Sequence, residues 1–158
     1  MNAEEIEILL VEDSAADAEL TLHALRKNAR VNRVYVARDG EEALNFLFAN
    51  GTYQERIRQP LPPLVLLDLK LPKVDGLSVL RTLKQDRRTR SMPVIVLTSS
   101  TEEKDLIASY DLGVNSYIQK PVDFDQFRGT VDTLALYWLL VNQPPPRLAS
   151  TGSTEKLT

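Results

Sequence analysis

The sequence predicts an α/β fold, a five-stranded parallel sheet with five helices covering its two faces, and three observations predict it. Short β-rich blocks at Ile6–Val11, Val31–Ala37, Leu64–Leu67, Val94–Thr98 and Ser116–Gln119 alternate with segments of helical spacing. Such alternation implies right-handed crossovers into one open sheet. Three of the blocks, Ile8-Leu9-Leu10-Val11, Leu64-Val65-Leu66-Leu67 and Val94-Ile95-Val96-Leu97, are apolar at every position, as strands buried on both faces are. Helix-start signals stand between the blocks.

Taken in chain order, the first block runs into a helix whose apolar positions are Ala18, Leu20, Leu22 and Leu25. The second block is followed by Asp39 and, three residues on, Glu42, the spacing of a capping box. Residues 50–63, with Gly51, Pro60, Pro62 and Pro63, read as a long connection and the place of an insertion. After the third block, Leu77, Leu80 and Leu83 mark a helix; after the fourth, Ser100 and Glu103 repeat the capping pattern. Asp123 and Gln126 repeat it after the fifth, opening a last helix with the stripe Phe124, Phe127, Val131 and Leu134. That helix carries Tyr137, Trp138 and further leucines on its remaining faces, so it needs cover on more than one side. The polar, proline-marked residues 144–158 hold too little apolar surface to offset their ordering entropy and are expected to form a disordered tail.

Composition narrows the function. The 158 residues, 43% hydrophobic and 26% charged, suit one domain. A net charge of -3 argues against direct binding to nucleic acid, which is held by clustered Lys and Arg. The absence of Cys excludes disulfides and thiolate chemistry, and a lone His23 excludes a multi-histidine metal centre. The longest apolar run, 134–141, is eight residues, far below the roughly 20 that span a bilayer. An acidic start without an apolar stretch is unlike a signal peptide. A soluble, cytoplasmic protein without a membrane partner is therefore expected.

In an open parallel sheet, ligands collect where the strands end. Here the blocks end in Glu12-Asp13, Asp68, Thr98 and Lys120-Pro121. Three converging carboxylates repel one another unless a cation sits among them. An all-oxygen ligand set favours magnesium, with manganese an acceptable substitute. An aspartate near such an ion, faced by a lysine, can attack phosphorus, because phosphoryl transfer needs mainly positioning and charge neutralisation.

These residues stand in the segments Ile8-Leu9-Leu10-Val11-Glu12-Asp13-Ser14, Leu66-Leu67-Asp68-Leu69-Lys70-Leu71-Pro72-Lys73-Val74-Asp75-Gly76, Val94-Ile95-Val96-Leu97-Thr98-Ser99-Ser100 and Tyr117-Ile118-Gln119-Lys120-Pro121. In that order they resemble the receiver domain of two-component response regulators, from about residue 5 to 141. The resemblance implies a flavodoxin-like fold with strand order 2-1-3-4-5, which the sequence pattern alone leaves open, and a receiver domain over 1–143. It makes Asp68 the phosphoryl acceptor of a phosphorelay. It assigns the metal to Asp13, Asp68, the Lys70 backbone carbonyl and, through water, Glu12. Thr98 would bond a phosphoryl oxygen, Lys120 would pair with its charge, and a cis Lys120–Pro121 bond would aim that lysine. Thr98 and Tyr117 would form the switch, coupling Asp68 to the surface of helix four, strand five and helix five. Together with the apolar last helix, that surface suggests a homodimer.

Among receivers, the chain is similar to single-domain regulators paired with phytochrome histidine kinases. Its Leu67–Lys73 stretch, the long connection before strand three, the 110–117 segment, Lys120-Pro121-Val122-Asp123 and Tyr137-Trp138 carry that likeness. A sensor histidine kinase, with a phytochrome as the candidate, is the implied partner. Lys70 departs from the asparagine more usual in the subgroup, and its charge can alter metal affinity and the lifetime of an aspartyl phosphate. Lys70 also weighs against the alternative of an aspartyl-phosphate phosphatase, a fold that needs an acid two residues after its nucleophile. A flavodoxin-like cofactor binder is disfavoured because Glu12-Asp13 would repel a phosphate. His23, without partner residues for phosphotransfer, reads as a surface side chain. The protein is thus expected to be a signalling phosphoacceptor that assists only its own phosphorylation and dephosphorylation.

Overall fold

The computed structural model describes residues 6–26, 31–99, 102–114 and 116–119. Strands β1 (Ile6–Val11), β2 (Val31–Ala37), β3 (Leu64–Leu67), β4 (Val94–Thr98) and β5 (Ser116–Gln119) form one sheet of order β2-β1-β3-β4-β5. Every neighbouring pair is parallel. The strand bounds coincide with the five sequence blocks. Helices α1 (Ala15–Arg26), α2 (Gly40–Phe48), α3 (Gly76–Gln85) and α4 (Glu103–Asp111) make the crossovers. The expected fifth helix, the tail 144–158 and the Lys120–Pro121 bond lie outside the described residues.

Strand periodicity divides the core into two layers. Ile8, Leu10, Leu64, Leu66, Ile95 and Leu97 pack against Ala18, Leu22 and Leu25 of α1. Their neighbours Leu9, Val11, Val65, Leu67, Val94 and Val96 pack on the other face against Ala43, Phe46 and Leu47 of α2 and Val79, Leu80 and Leu83 of α3. Continuous apolar strands are therefore needed because both faces are covered.

The helix starts are fixed locally. Asp39 accepts from the Glu42 N–H at 2.7 Å, the first half of the expected box, while Glu42 reaches back one residue beyond the N-cap and accepts from the Arg38 N–H at 2.8 Å, a close relative of the box. Asp75 caps α3 by accepting from the Ser78 N–H at 2.9 Å, and Ser14 accepts from the Asp17 N–H at 3.2 Å at the start of α1. The pattern from Ser100 puts the start of α4 too early. That helix begins at Glu103, with Glu102 as an N-cap whose side chain makes no capping bond, and Ser100 lies outside the described residues.

The 50–63 connection is more ordered than its prolines suggest. It contains a 3₁₀ helix, Gly51–Arg58, docked by side chains rather than by an apolar stripe. The Tyr53 ring meets Phe46 edge-on at 5.4 Å, and the Arg56 guanidinium lies 3.6 Å over the same Phe46 ring. Arg56 also pairs with Glu7 at 3.0 Å, while the Tyr53 hydroxyl donates to Glu42 at 2.6 Å and bonds the Tyr35 hydroxyl. Among the described residues, no helix is long and apolar enough to cross a membrane.

Candidate functional site

Register brings the chemistry together. β1 and β3 are neighbours with Val11 opposite Leu67, so the next residues, Glu12 and Asp68, emerge side by side. The ladder continues past both strand ends: the Asp68 N–H donates to the Val11 carbonyl at 3.0 Å, and the Glu12 N–H to the Ala37 carbonyl at 2.9 Å. β4 pairs with β3 through Leu67 and Val96, which carries Thr98 to the same end of the sheet.

Carboxylate oxygens of Glu12, Asp13 and Asp68 lie within 4.8 Å of one another. Glu12 and Asp68 are buried, 2% and 5% exposed, whereas Asp13 is exposed. Two donors fix the Asp68 carboxylate. The Thr98 hydroxyl, on a fully buried residue, donates to Oδ1 at 2.8 Å, and the Lys70 N–H donates to the same oxygen at 3.1 Å. Glu12 is held in turn by the Ser14 N–H, which donates to its Oε2 at 3.1 Å. Three anionic groups so close, two of them shielded from water, repel one another strongly. Hard oxygen donors converging in this way fit a divalent cation of the magnesium or manganese type. Glu12, Asp13 and Asp68 are the side chains that could hold one.

Gly76 holds the acceptor loop close to α3. A Cβ there would stand 2.3 Å from the Asp68 carbonyl oxygen and 2.4 Å from the Leu69 Cα, while the Gly76 N–H donates to the Leu69 carbonyl at 3.0 Å. Only a residue without a side chain permits that approach. An open cleft of about 620 Å³, lined by Asp13, Lys70, Leu71, Arg81 and Asp105 among others, reaches the cluster at its exposed member, Asp13.

Four of the sequence-derived residues, Glu12, Asp13, Asp68 and Thr98, thus meet at one point. Lys70 contributes its backbone there, but its ammonium turns to α4 and lies 3.8 Å from both Glu102 and the buried Asp105. Sequence reasoning missed that link: acids in a first helical turn are common, and nothing local identifies their partner. Tyr117 sits on β5 opposite Val96, and Gln119 is opposite Thr98; the Tyr117 side chain is outside the described residues. Lys120 and Pro121 are outside them too. His23 is exposed, as expected.

Comparison with known proteins follows the same lines. The family model described as "Response regulator receiver domain" matches residues 8–132. The chain is 44% identical over 138 residues to the probable methanogenesis regulatory protein FilR2 of Methanothrix harundinacea, covering 87% of this chain and 86% of that one. It is 42% identical over 132 residues to response regulator Rcp1 of Synechocystis, covering 84% and 88%. The crystal structure of Mn(2+)-bound Rcp1 superposes with a TM-score of 0.82 at 39% identity, over 89% of this chain and 99% of that one. That of the phosphorylated cyanobacterial phytochrome response regulator RcpA superposes with a TM-score of 0.84 at 39% identity, over 90% and 99%. With its flavodoxin-like sheet and strand-end carboxylates, this chain belongs to the response regulator receiver domain family.

Proposed function

We propose that the chain is a single-domain response regulator whose Asp68 accepts a phosphoryl group from the phosphohistidine of a sensor histidine kinase, with a phytochrome kinase the candidate donor. The observation that carries the reading is the Asp68 carboxylate, fixed at Oδ1 by Thr98 and Lys70 N–H and flanked by Glu12 and Asp13. In the reaction, a carboxylate oxygen of Asp68 attacks phosphorus as the P–N bond breaks. An acyl phosphate forms and the imidazole leaves with the electron pair. Water attacking the same phosphorus later restores the carboxylate, so the chain assists its own dephosphorylation and no other reaction.

A divalent ion, magnesium with manganese as substitute, would be held by Asp13, Asp68, the Lys70 carbonyl and, through water, Glu12; when bound it supplies positive charge for the phosphoryl oxygens. The two pinning donors limit rotation of the acceptor, which is the positioning such a transfer needs. Lys120 serves as the fixed cation facing the phosphoryl group, aimed by Pro121. Thr98 is the sensor: its hydroxyl leaves Asp68 Oδ1 for a phosphoryl oxygen, and Tyr117, one strand away, answers. The altered surface of α4, β5 and the last helix then favours a homodimer. The description of RcpA as a cyanobacterial phytochrome response regulator supports the kinase class, and the apolar last helix expected from the sequence supports the dimer.

Incubation with magnesium and acetyl phosphate, followed by intact-mass measurement, tests the acceptor. One phosphoryl mass on the unsubstituted chain and none on Asp68→Asn is expected. Equal addition to both, or none to either, refutes it. Phosphotransfer from a panel of purified, autophosphorylated histidine kinases, phytochromes included, tests the donor class.

A further inference from the structure

The end of the sheet opposite Asp68 carries a second built surface. Among the described residues β2 is an edge strand, paired with β1 alone. At seven residues it is the longest strand of the sheet, and it contains no proline and a single charged residue, Arg33. Edge strands are usually kept short or blocked by proline and charge, because their unpaired N–H and C=O groups template another strand. A cavity of about 600 Å³ opens beside β2, between the end of α1 and the 3₁₀ helix. Its charged lining is Arg26, Arg33, Arg56 and Glu7.

Glu7 is already paired with Arg56. Arg26 and Arg33 form no ion pair among the described residues, and both are exposed. Their positions matter as much as their charge. Arg26 ends α1, which packs on one face of the sheet, whereas Arg56 belongs to the 3₁₀ helix docked on Phe46 and α2 at the other. Arg56 is neutralised by Glu7, so the uncompensated positive charge at this edge comes from Arg26 and Arg33. The patch is opposite in sign to the molecule as a whole, whose net charge is -3.

We propose that the β2 edge, flanked by the exposed Arg26 and Arg33, docks an extended acidic segment of a partner protein as an additional strand. Main-chain hydrogen bonds to β2 would supply register-independent affinity, and the arginines would select carboxylate-bearing sequence. The arginines of this surface lie toward the strand starts, away from the cleft lined by Asp13 and Lys70, so a bound partner and a phosphoryl donor can be accommodated together.

The probe is a fluorescently labelled alternating Val-Glu octapeptide, titrated into the full chain at low ionic strength and followed by anisotropy and amide hydrogen exchange. Binding is expected, with slowed exchange across Val31–Ala37. A loss of about tenfold or more is expected for Arg33→Glu and Arg26→Glu, from reversing a charge at a complementary surface. Arg87→Glu, an exposed cation elsewhere, should leave binding intact, and phosphorylation by acetyl phosphate should be retained in all three variants as a check of folding. The proposal is overturned by absence of binding, by an equal loss in Arg87→Glu, or by binding that leaves β2 exchange unchanged. It is equally overturned if inorganic tripolyphosphate displaces the peptide and an alternating Val-Ser octapeptide slows β2 exchange just as well, which would make the arginines a small-anion site.

Discussion

Replacing Asp13 by Asn should make the chain more stable in a chelator and less stable than the parent in magnesium. The exposed Asp13 can lose its charge without leaving a cavity, and its carboxylate lies within 4.8 Å of those of Glu12 and Asp68. At that distance, one repulsive pair costs about 0.9 kcal/mol at the dielectric of water and about 3.5 kcal/mol at the effective value of a protein surface. Exposure places Asp13 near the lower figure, and the substitution removes two pairs. A gain of about 1–2 kcal/mol follows, or a Tm rise of about 2–8 °C for a chain of this size. Magnesium at a hundred times its Kd should stabilise the parent by about 2.7 kcal/mol, and the variant by less, since one ligand charge is gone. Thermal melts of both proteins at low salt, in chelator and in excess magnesium, read the inversion directly. A variant that melts lower than the parent in chelator, or that gains as much from magnesium, would refute the electrostatic account of the cluster.

Thr98→Val keeps the side-chain volume and removes the donor to Asp68. A charge-assisted bond of about 1.5–3 kcal/mol is lost, so phosphorylation by acetyl phosphate should slow by about 10- to 100-fold while Asp68 remains the modified residue. An unchanged rate would remove Thr98 from the mechanism. Gly76→Ala drives a methyl group into the Asp68 and Leu69 backbone, and overpacking of this kind costs about 1–3 kcal/mol or more. The urea midpoint should fall and magnesium affinity with it; a variant as stable as the parent would mean that the loop and α3 separate freely. Ala49 ends α2 at φ 57° and ψ 44°, a left-handed conformation that costs a residue with a Cβ about 1 kcal/mol. Ala49→Gly should therefore raise the urea midpoint without changing the m-value, and a lower midpoint would contradict it. Lys70→Asn removes the ammonium 3.8 Å from Glu102 and Asp105. It should alter the lifetime of the Asp68 phosphate, measured by decay of the added mass, while loss of the exposed Lys70–Glu102 pair changes stability little.

Much of the fold is a local property of this sequence. Strands β1, β3 and β4 carry continuous runs of β-branched and aliphatic residues that no amphipathic helix could present, and Asp39 and Asp75 satisfy helix N–H groups within three residues of themselves. The 3₁₀ helix at Gly51–Arg58 was not legible because no periodic apolar face announces it. It is held by Tyr53 and Arg56 against Phe46 of the preceding helix, and by Arg56 against Glu7, a contact across 49 residues, none of which a periodic pattern could signal. The start of α4 shows the opposite case: the helix begins at Glu103 with Glu102 as its N-cap, two residues later than the spacing from Ser100 implies.

By itself the sequence determined which residues could do chemistry, because an acid or hydroxyl directly after a buried strand has to emerge at the sheet's end. Tertiary structure alone decided that Glu12, Asp13, Asp68 and Thr98 share one point, since strand order and register arise from pairing between distant segments. It also decided that the Lys70 ammonium points to Glu102 and Asp105 while its N–H serves Asp68. A long, flexible side chain takes its direction from the charges around it, and those charges arrive only when the chain has folded.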